Sequence, residues 1–500
     1  MRSLGFAPDG TLLALLDDSP GSDELVEIDL AALAASSPTP TTAIGQVGLS
    51  PVEGIAVDRT GVVFATHRVN ATDSILASLT GATPLPSMAR DMPWFDLTVM
   101  PDAFPSLELV GGFHDGIITS PNPERLVTGD FNGDGHTDVA YVQTVFLSPQ
   151  KSNLKIFDGD GTGSFGSGAA ANVPRQSFQI TADDPDEFAT SAASADFNGD
   201  GVDDLVAADP QQGFGGGAGE FELMLSNGAP GSYTAHTQSQ VPTTGRCTWV
   251  TTANLNPDED THADVLVGTE DGVFIFFGNG VGAFPTVVTI RNSSPDPNGS
   301  GSAAFSIGDL NDDTLPDIGG TGLYFLNNGM KSFTELTYSV PQGGEAPPAS
   351  VSGIGNFDGY DGNDLAVLFV DENSYEGRLR FFPTNGGTLL TPVDYPVGCG
   401  GSPLSDILLT ADLDGDGADD ILAGAYEQSY DLLFSPGTPL AATIRVDGSG
   451  PNEIDWTLAT AICIGDFIEG DGGRLEILVG DDGQPGDDFQ LYRLNNPFSE

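Results

Sequence analysis

The sequence predicts an all-β fold, a seven-bladed β-propeller preceded by a smaller β segment. Three observations carry that expectation. An acidic nine-residue pattern recurs seven times along the chain. Each copy lies between two short apolar runs of strand length. The composition favours turns: of 500 residues, 66 are Gly and 35 Pro, and charged residues make up only 18%. Short strands with many turns use such a composition, whereas helices draw on Lys, Glu and Arg, which are scarce here.

Residues 1–95 lack the acidic pattern and form the first predicted unit. Two β units stand in it, "LGFAPDGTLLALLDD…LVEIDL" and "GIAVDRTGVVFATHRV…ILASLTG". Each reads as strand, short turn, strand, gap, strand, and resembles a blade of NHL-like propellers. Two blades cannot close a ring. The favoured expectation is a remnant of a larger N-terminal propeller, the alternative being extra blades on the main ring. "TPLPSMARDMPWFD" (Thr83 to Asp96) is the expected linker. The start, "MRSLGFAPDG", has neither the charged nor the apolar region of a signal peptide and reads like the middle of a β domain.

Residues 96–500 form the second unit. The pattern D-x-[DN]-x-D-x-x-x-D is intact at Asp130 to Asp138, Asp196 to Asp204, Asp309 to Asp317 and Asp412 to Asp420. Three degenerate copies fill the gaps: "NLNPDEDTHAD" from Asn254, "NFDGYDGND" from Asn356 with Tyr360 at the third acidic position, and "DFIEGDGGRLE" from Asp466. The seven starts lie 47 to 66 residues apart. Before each copy runs a small-residue or apolar strand, such as "TSAASA". After it runs a second strand, such as "DVLVG", then a third, often aromatic, such as "VFIFFGNG". A fourth strand between repeats makes units of propeller-blade size. Closing the ring removes free sheet edges. The strand near "SLELVGG" (Ser106 to Gly112) is expected to complete the last blade beside "FQLYRL".

An acidic loop with oxygens at positions 1, 3 and 5 suits a hard cation, and calcium takes six to eight oxygens at about 2.3–2.6 Å. The expected ligands are Asp130, Asn132, Asp134, His136 and Asp138 in the first intact copy. In the second they are Asp196, Asn198, Asp200, Val202 and Asp204. In the third they are Asp309, Asn311, Asp313, Leu315 and Asp317, and in the fourth Asp412, Asp414, Asp416, Ala418 and Asp420. His136, Val202, Leu315 and Ala418 would contribute backbone carbonyls. About four calcium sites are expected. An EF-hand is excluded, because position 12 is Tyr141, Ala207, Gly320 or Ala423 where a bidentate Glu is needed, and strands flank the loops. Aspartate turns without metal are the alternative, but so many carboxylates in one loop repel each other unless a cation intervenes.

These D-F-N-G-D-G-x-x-D loops, with Gly-rich third-strand ends such as "GNGVGAF" (Gly278 to Phe284) and "DGDGTGSF" (Asp158 to Phe165), resemble the FG-GAP or VCBS repeats of integrin α-subunit propellers and bacterial surface proteins. The resemblance implies a seven-bladed propeller with calcium loops between the first and second strands. The copies at Asn254, Tyr360 and Asp466 depart from that ligand pattern.

The net charge of −56, from 72 acidic and 16 basic residues, argues against nucleic acid and anionic membrane surfaces as partners. No apolar run approaches the length of a membrane-spanning helix. Cys247, Cys399 and Cys463 show no metal or redox spacing and read as buried apolar residues. Of the five histidines, none falls in a catalytic motif, and His136 and His262 are expected to face solvent. Trp249 reads as blade packing rather than a sugar-stacking platform. No catalytic residue emerges. The expected function is a calcium-stabilised extracellular or cell-surface module that binds protein or glycan, monomeric or part of a larger secreted protein. A polysaccharide lyase or hydrolase on the same scaffold is the alternative.

Overall fold

The middle strands of the repeats are buried on both faces. Asp264–Thr269 and Gly272–Phe277 expose no residue. A blade in a propeller lies between two neighbours, so its central strands carry continuous apolar runs rather than alternation. In the computed structural model, residues 106–113, 123–145, 151–167, 170–171, 176–179, 191–209, 219–226, 233–243, 245, 247–293, 305–339, 351–359, 362–370, 377–397, 406–425, 430–434, 442–446, 461–470, 472–480 and 489–495 are described, together with seven strands between residues 3 and 78. All elements of regular structure among them are strands.

Seven antiparallel four-stranded sheets follow one another along residues 107–495. Blade 1 comprises Pro123–Gly129, Asp138–Val145, Lys151–Gly159 and Gln176–Gln179, with a small hairpin extension of its third strand. Blade 2 runs from Ser191–Ala195 to Tyr233–Gln240, blade 3 from Cys247–Ala253 to Thr286–Arg291, and blade 4 from Ser306–Gly308 to Phe333–Thr337. Blade 5 runs from Val351–Gly355 to Val393–Pro396 and blade 6 from Asp406–Ala411 to Ala442–Val446. Blade 7 takes Ala461–Gly465, Glu476–Gly480 and Phe489–Asn495, and its fourth strand is Ser106–Phe113. The ring therefore closes between the two ends of this unit, on the strand expected from the sequence.

The core is distributed. Each of the seven blade boundaries holds its own apolar cluster, for example Val127, Phe131, Leu154, Leu205 and Met224 between blades 1 and 2. Phe113, Tyr141, Phe157, Phe467 and Leu491 fill the boundary where blade 7 meets blade 1. Outer strands such as Phe333–Thr337 are largely exposed, and inner strands such as Ser191–Ala195 use small residues where the first strands crowd together.

The segment ahead of the propeller forms a separate unit. Its strands make a four-stranded sheet (Ser3–Phe6, Leu12–Ser19, Ser22–Ile28, Thr41–Val47) and a three-stranded one (Val52–Val57, Val63–Arg68, Ser74–Ser78). The expected linker at Thr83 to Asp96 lies outside the described residues. No helix among the described residues is long and apolar enough to cross a membrane.

Candidate metal centres

The acidic loops join the first and second strands of their blades, and one hydrogen-bond template recurs in all four intact copies. In blade 2, Asp196 Oδ1 accepts the N–H groups of Gly199 at 2.6 Å and Asp200 at 3.2 Å, and Oδ2 accepts that of Gly201 at 2.9 Å. Asn198 Oδ1 accepts from Asp200 N–H, and Asp200 Oδ1 from Val202 N–H. Asp130, Asn132 and Asp134 repeat these bonds in blade 1, where the last donor is His136. Asp412, Asp414 and Asp416 do so in blade 6, ending at Ala418, and Asp309, Asn311 and Asp313 do so in blade 4, ending at Leu315, except that Asp309 Oδ1 accepts from the N–H of Asn311 in place of that of the fourth loop residue. Each side-chain oxygen thus turns inward on a loop whose backbone is wound tightly. The winding needs positive φ at position 6, found at Gly135 (90°), Gly201 (82°) and Gly417 (92°), and at Thr314 (71°) where the fourth blade lacks glycine.

The last acid of the pattern has a further task. Asp138, Asp204, Asp317 and Asp420 are fully buried. Asp204 Oδ2 accepts the N–H of Phe197 at 2.9 Å, and Oδ1 accepts that of Ser226 at 2.6 Å. Asp138 spans Phe131 and Gly159, and Asp317 spans Leu310 and Asn327, in the same way. One carboxylate therefore ties the loop to the end of the third strand. Burial, opposed by these hydrogen bonds and reinforced by neighbouring aspartates, pushes Asp204 and Asp317 up to about 6.

The donor set fits a hard cation. In blade 6, carboxylate oxygens of Asp412, Asp414 and Asp420 lie within 4.8 Å of one another. Ligands on opposite sides of a calcium ion are about 5 Å apart, so one ion could touch all three. Burial and then the adjacent Asp416 push Asp414 up to about 6, a repulsion that a divalent cation would relieve. Asp416 is exposed and outside this trio. In blades 1, 2 and 4 the middle oxygen comes from Asn132, Asn198 or Asn311, which lowers the charge of the set without removing a ligand.

In the degenerate loops the clamp persists while the ligands change. Asp264 accepts from Leu255 and Gly278, Asp364 from Thr384, and Glu476 from Phe467. Glu476 is also bound by Arg493 at 2.8 Å, so its charge already has a partner. In the third loop Asn256 Nδ2 donates to Asp260.

Contacts between loops were not legible as such. Asp203, the residue before the clamp in blade 2, accepts the Asp130 N–H on Oδ2 at 2.9 Å and donates its own N–H to Asp130 O at 2.9 Å. Asp419 in blade 6 does the same to Asn356, at 2.8 and 2.7 Å. The doublets "VDD" and "ADD" carry the signal in the sequence. His136 corrects an expectation. Rather than facing solvent freely, it is half-buried and bonds Glu469 of blade 7 at 2.6 Å, which raises its pKa. His262 is half-buried too, against Gly280. Trp249 packs on Phe305 of the next blade, as the packing reading expects. Cys247 and Cys463 are buried, and burial pushes the Cys463 pKa up.

Residues 130–207, which hold the first two loops and the strands between them, match the family model of the FG-GAP-like repeat. Those residues are FG-GAP-like repeat, set in a seven-bladed propeller. The repeat match spans the described template of blades 1 and 2, and the other five blades share that template to differing degrees. Among solved structures, this propeller is similar to an Agrocybe aegerita lectin described as recognising non-reducing terminal N-acetylglucosamine, at 17% identity over 66% of this chain and 80% of that one, with a TM-score of 0.44. It is also similar to BBS1N in complex with ARL6DN, at 15% identity over 79% and 96% of the two chains, with a TM-score of 0.42. No curated protein matches the chain.

Proposed function

We propose that this FG-GAP repeat propeller is a calcium-stabilised binding module, acting at the cell surface or outside the cell on a protein or glycan ligand. The observation that carries the calcium reading is the convergence of Asp412, Asp414 and Asp420, on a loop template shared by three other blades. The ligands would be Asp130, Asn132, Asp134 and Asp138 in blade 1, and the equivalent residues in blades 2, 4 and 6, joined by carbonyls of His136, Val202, Leu315 and Ala418. The metal would pin the strand 1 to strand 2 turns, and the propeller would serve as a rigid scaffold. Extracellular calcium modules bind at ~0.1–1 mM. At one to ten times that dissociation constant each site contributes about 0.4–1.4 kcal/mol. Four sites together are comparable to the whole stability of a domain, so the role is structural. A binding rather than catalytic role is favoured because, among the described residues, the loop carboxylates are committed to the turns and clamps.

Isothermal calorimetry of the metal-stripped protein with calcium, paired with melting curves in chelator, tests the metal. About four sites and a melting point lowered by removal are expected, and no calcium effect would sink the reading. A glycan array with and without calcium tests the module. Release of cleaved product from a bound polysaccharide would favour the lyase or hydrolase alternative.

A further inference from the structure

The loops of blades 1 and 2 are joined by two hydrogen bonds between residues that belong to the ligand loops themselves. Asp203 lies between Val202 and Asp204, and it is bonded through both its carboxylate and its N–H to the backbone of Asp130, the first residue of the preceding loop. The fit is close. A Cβ on Gly129 would lie 2.7 Å from Asp203 Oδ2, so glycine before the loop makes room for the contact. The same arrangement recurs at blades 5 and 6, where a Cβ on Gly355 would lie 2.8 Å from Asp419 Oδ2. In the first and fourth loops the position is Thr137 or Pro316, which cannot supply the carboxylate.

We propose that Asp203 is a positioning residue that couples the cation loops of blades 1 and 2, and that Asp419 does the same for blades 5 and 6. The proposal rests on the calcium reading above. The argument is one of prepaid order. Asp204 is clamped to Phe197 and Ser226, so a cation that fixes the second loop also fixes Asp203 beside it. Asp203 then holds the N–H and C=O of Asp130, whose carboxylate opens the first loop. A cation entering the first loop finds its first ligand already oriented and loses less entropy in ordering it. Reciprocity requires the first loop to favour the second by the same factor. In blades 5 and 6, Asn356 replaces the first acid, so Asp419 would orient a neutral ligand in a degenerate loop.

Hydrogen exchange read by mass spectrometry during a calcium titration of the full chain separates the loops by peptide. In the variant Asp196→Asn/Asp200→Asn, which silences the second loop and leaves Asp203 in place, the calcium midpoint of the 130–138 peptide should rise about 5- to 10-fold. Those of 309–317 and 412–420 should stay within twofold. Asp203→Ala alone should raise the 130–138 midpoint similarly, and adding it to the silenced variant should cause no further rise. Asp203→Asn keeps an oxygen for the Asp130 N–H and should restore the wild-type midpoint. A 130–138 midpoint unmoved by silencing the second loop overturns the proposal, even if Asp203→Ala does not fold. Absence of calcium protection in every loop of the wild-type chain overturns the calcium reading and the coupling with it, whereas intact protection without coupling overturns the coupling alone.

Discussion

Asp204 holds Phe197 and Ser226 at once, accepting the Phe197 N–H at 2.9 Å and the Ser226 N–H at 2.6 Å from a fully buried carboxylate. The bonds close the loop and pin it to the end of the third strand. Asparagine at this position offers one oxygen and one amide NH2, so one of the two backbone donors faces another donor. Asp204→Asn should cost about 1–3 kcal/mol in urea unfolding at neutral pH. A change below about 0.5 kcal/mol would show that the clamp adds nothing.

The buried clamps also set a pH dependence for the metal-stripped protein. Burial pushes Asp204, Asp264 and Asp317 to about 6 and Asp364 to about 7, above the ordinary value of about 3.9 that they regain on unfolding. Between these limits the folded state holds protons that the unfolded state has released. Their contribution is full below about pH 4 and is lost as pH rises through 6 to 7. Asp204, Asp264 and Asp317 each account for at most about 3 kcal/mol across that window and Asp364 for at most about 4 kcal/mol. Urea midpoints of resin-stripped protein should therefore fall from pH 5 to pH 7.5, and millimolar calcium should flatten or reverse the slope. A stripped protein that gains stability over this range would mean that the clamps ionise without penalty.

Much of this architecture was legible because it is written in local, repeated signals. The spacing of the seven loop starts, from Asp130 to Asp466, counted the blades, and closing the ring assigned "SLELVGG" to the last of them. The division of labour within a loop was not legible. Asp134 and Asp138 look alike in sequence, but Asp134 is exposed and Asp138 is fully buried. What separates them is the third strand arriving at Gly159 to offer an N–H, a tertiary event. His136 was misread for the same reason, since its partner Glu469 lies in the last blade and sequence distance hid it.

Thr314 stands where the other intact loops place glycine, and its φ is 71°. A β-branched residue is strained in this left-handed region. Thr314→Gly should stabilise the protein by about 1 kcal/mol, because relief of strain outweighs the added freedom of the unfolded chain. The neighbouring Asp309 Oδ2 bond to the residue 314 N–H does not involve the threonine side chain and should survive. Urea unfolding decides the sign, and a destabilisation would mean that the loop relaxes around threonine at no cost.

Phe113 stacks on Phe489 with ring centroids 4.3 Å apart and an interplanar angle of 9°, and it also meets Phe157 and Phe165. It is the last residue of the strand that closes the ring, and it reaches from that strand into the boundary with blade 1. Truncation there removes buried aromatic area and leaves a cavity, so Phe113→Ala should cost about 3–5 kcal/mol. The loss should concentrate at the seam. Amide protection should fall first in Phe489–Asn495 and in Lys151–Gly159, while blades 3 and 4, half a ring away, keep theirs. Ser106–Phe113 is the only described strand of the ring contributed from outside its blade's own run of sequence. It has no covalent hairpin to hold it in register, so its packing carries the closure. Uniform loss of protection around the ring would mean instead that the propeller opens as one cooperative unit.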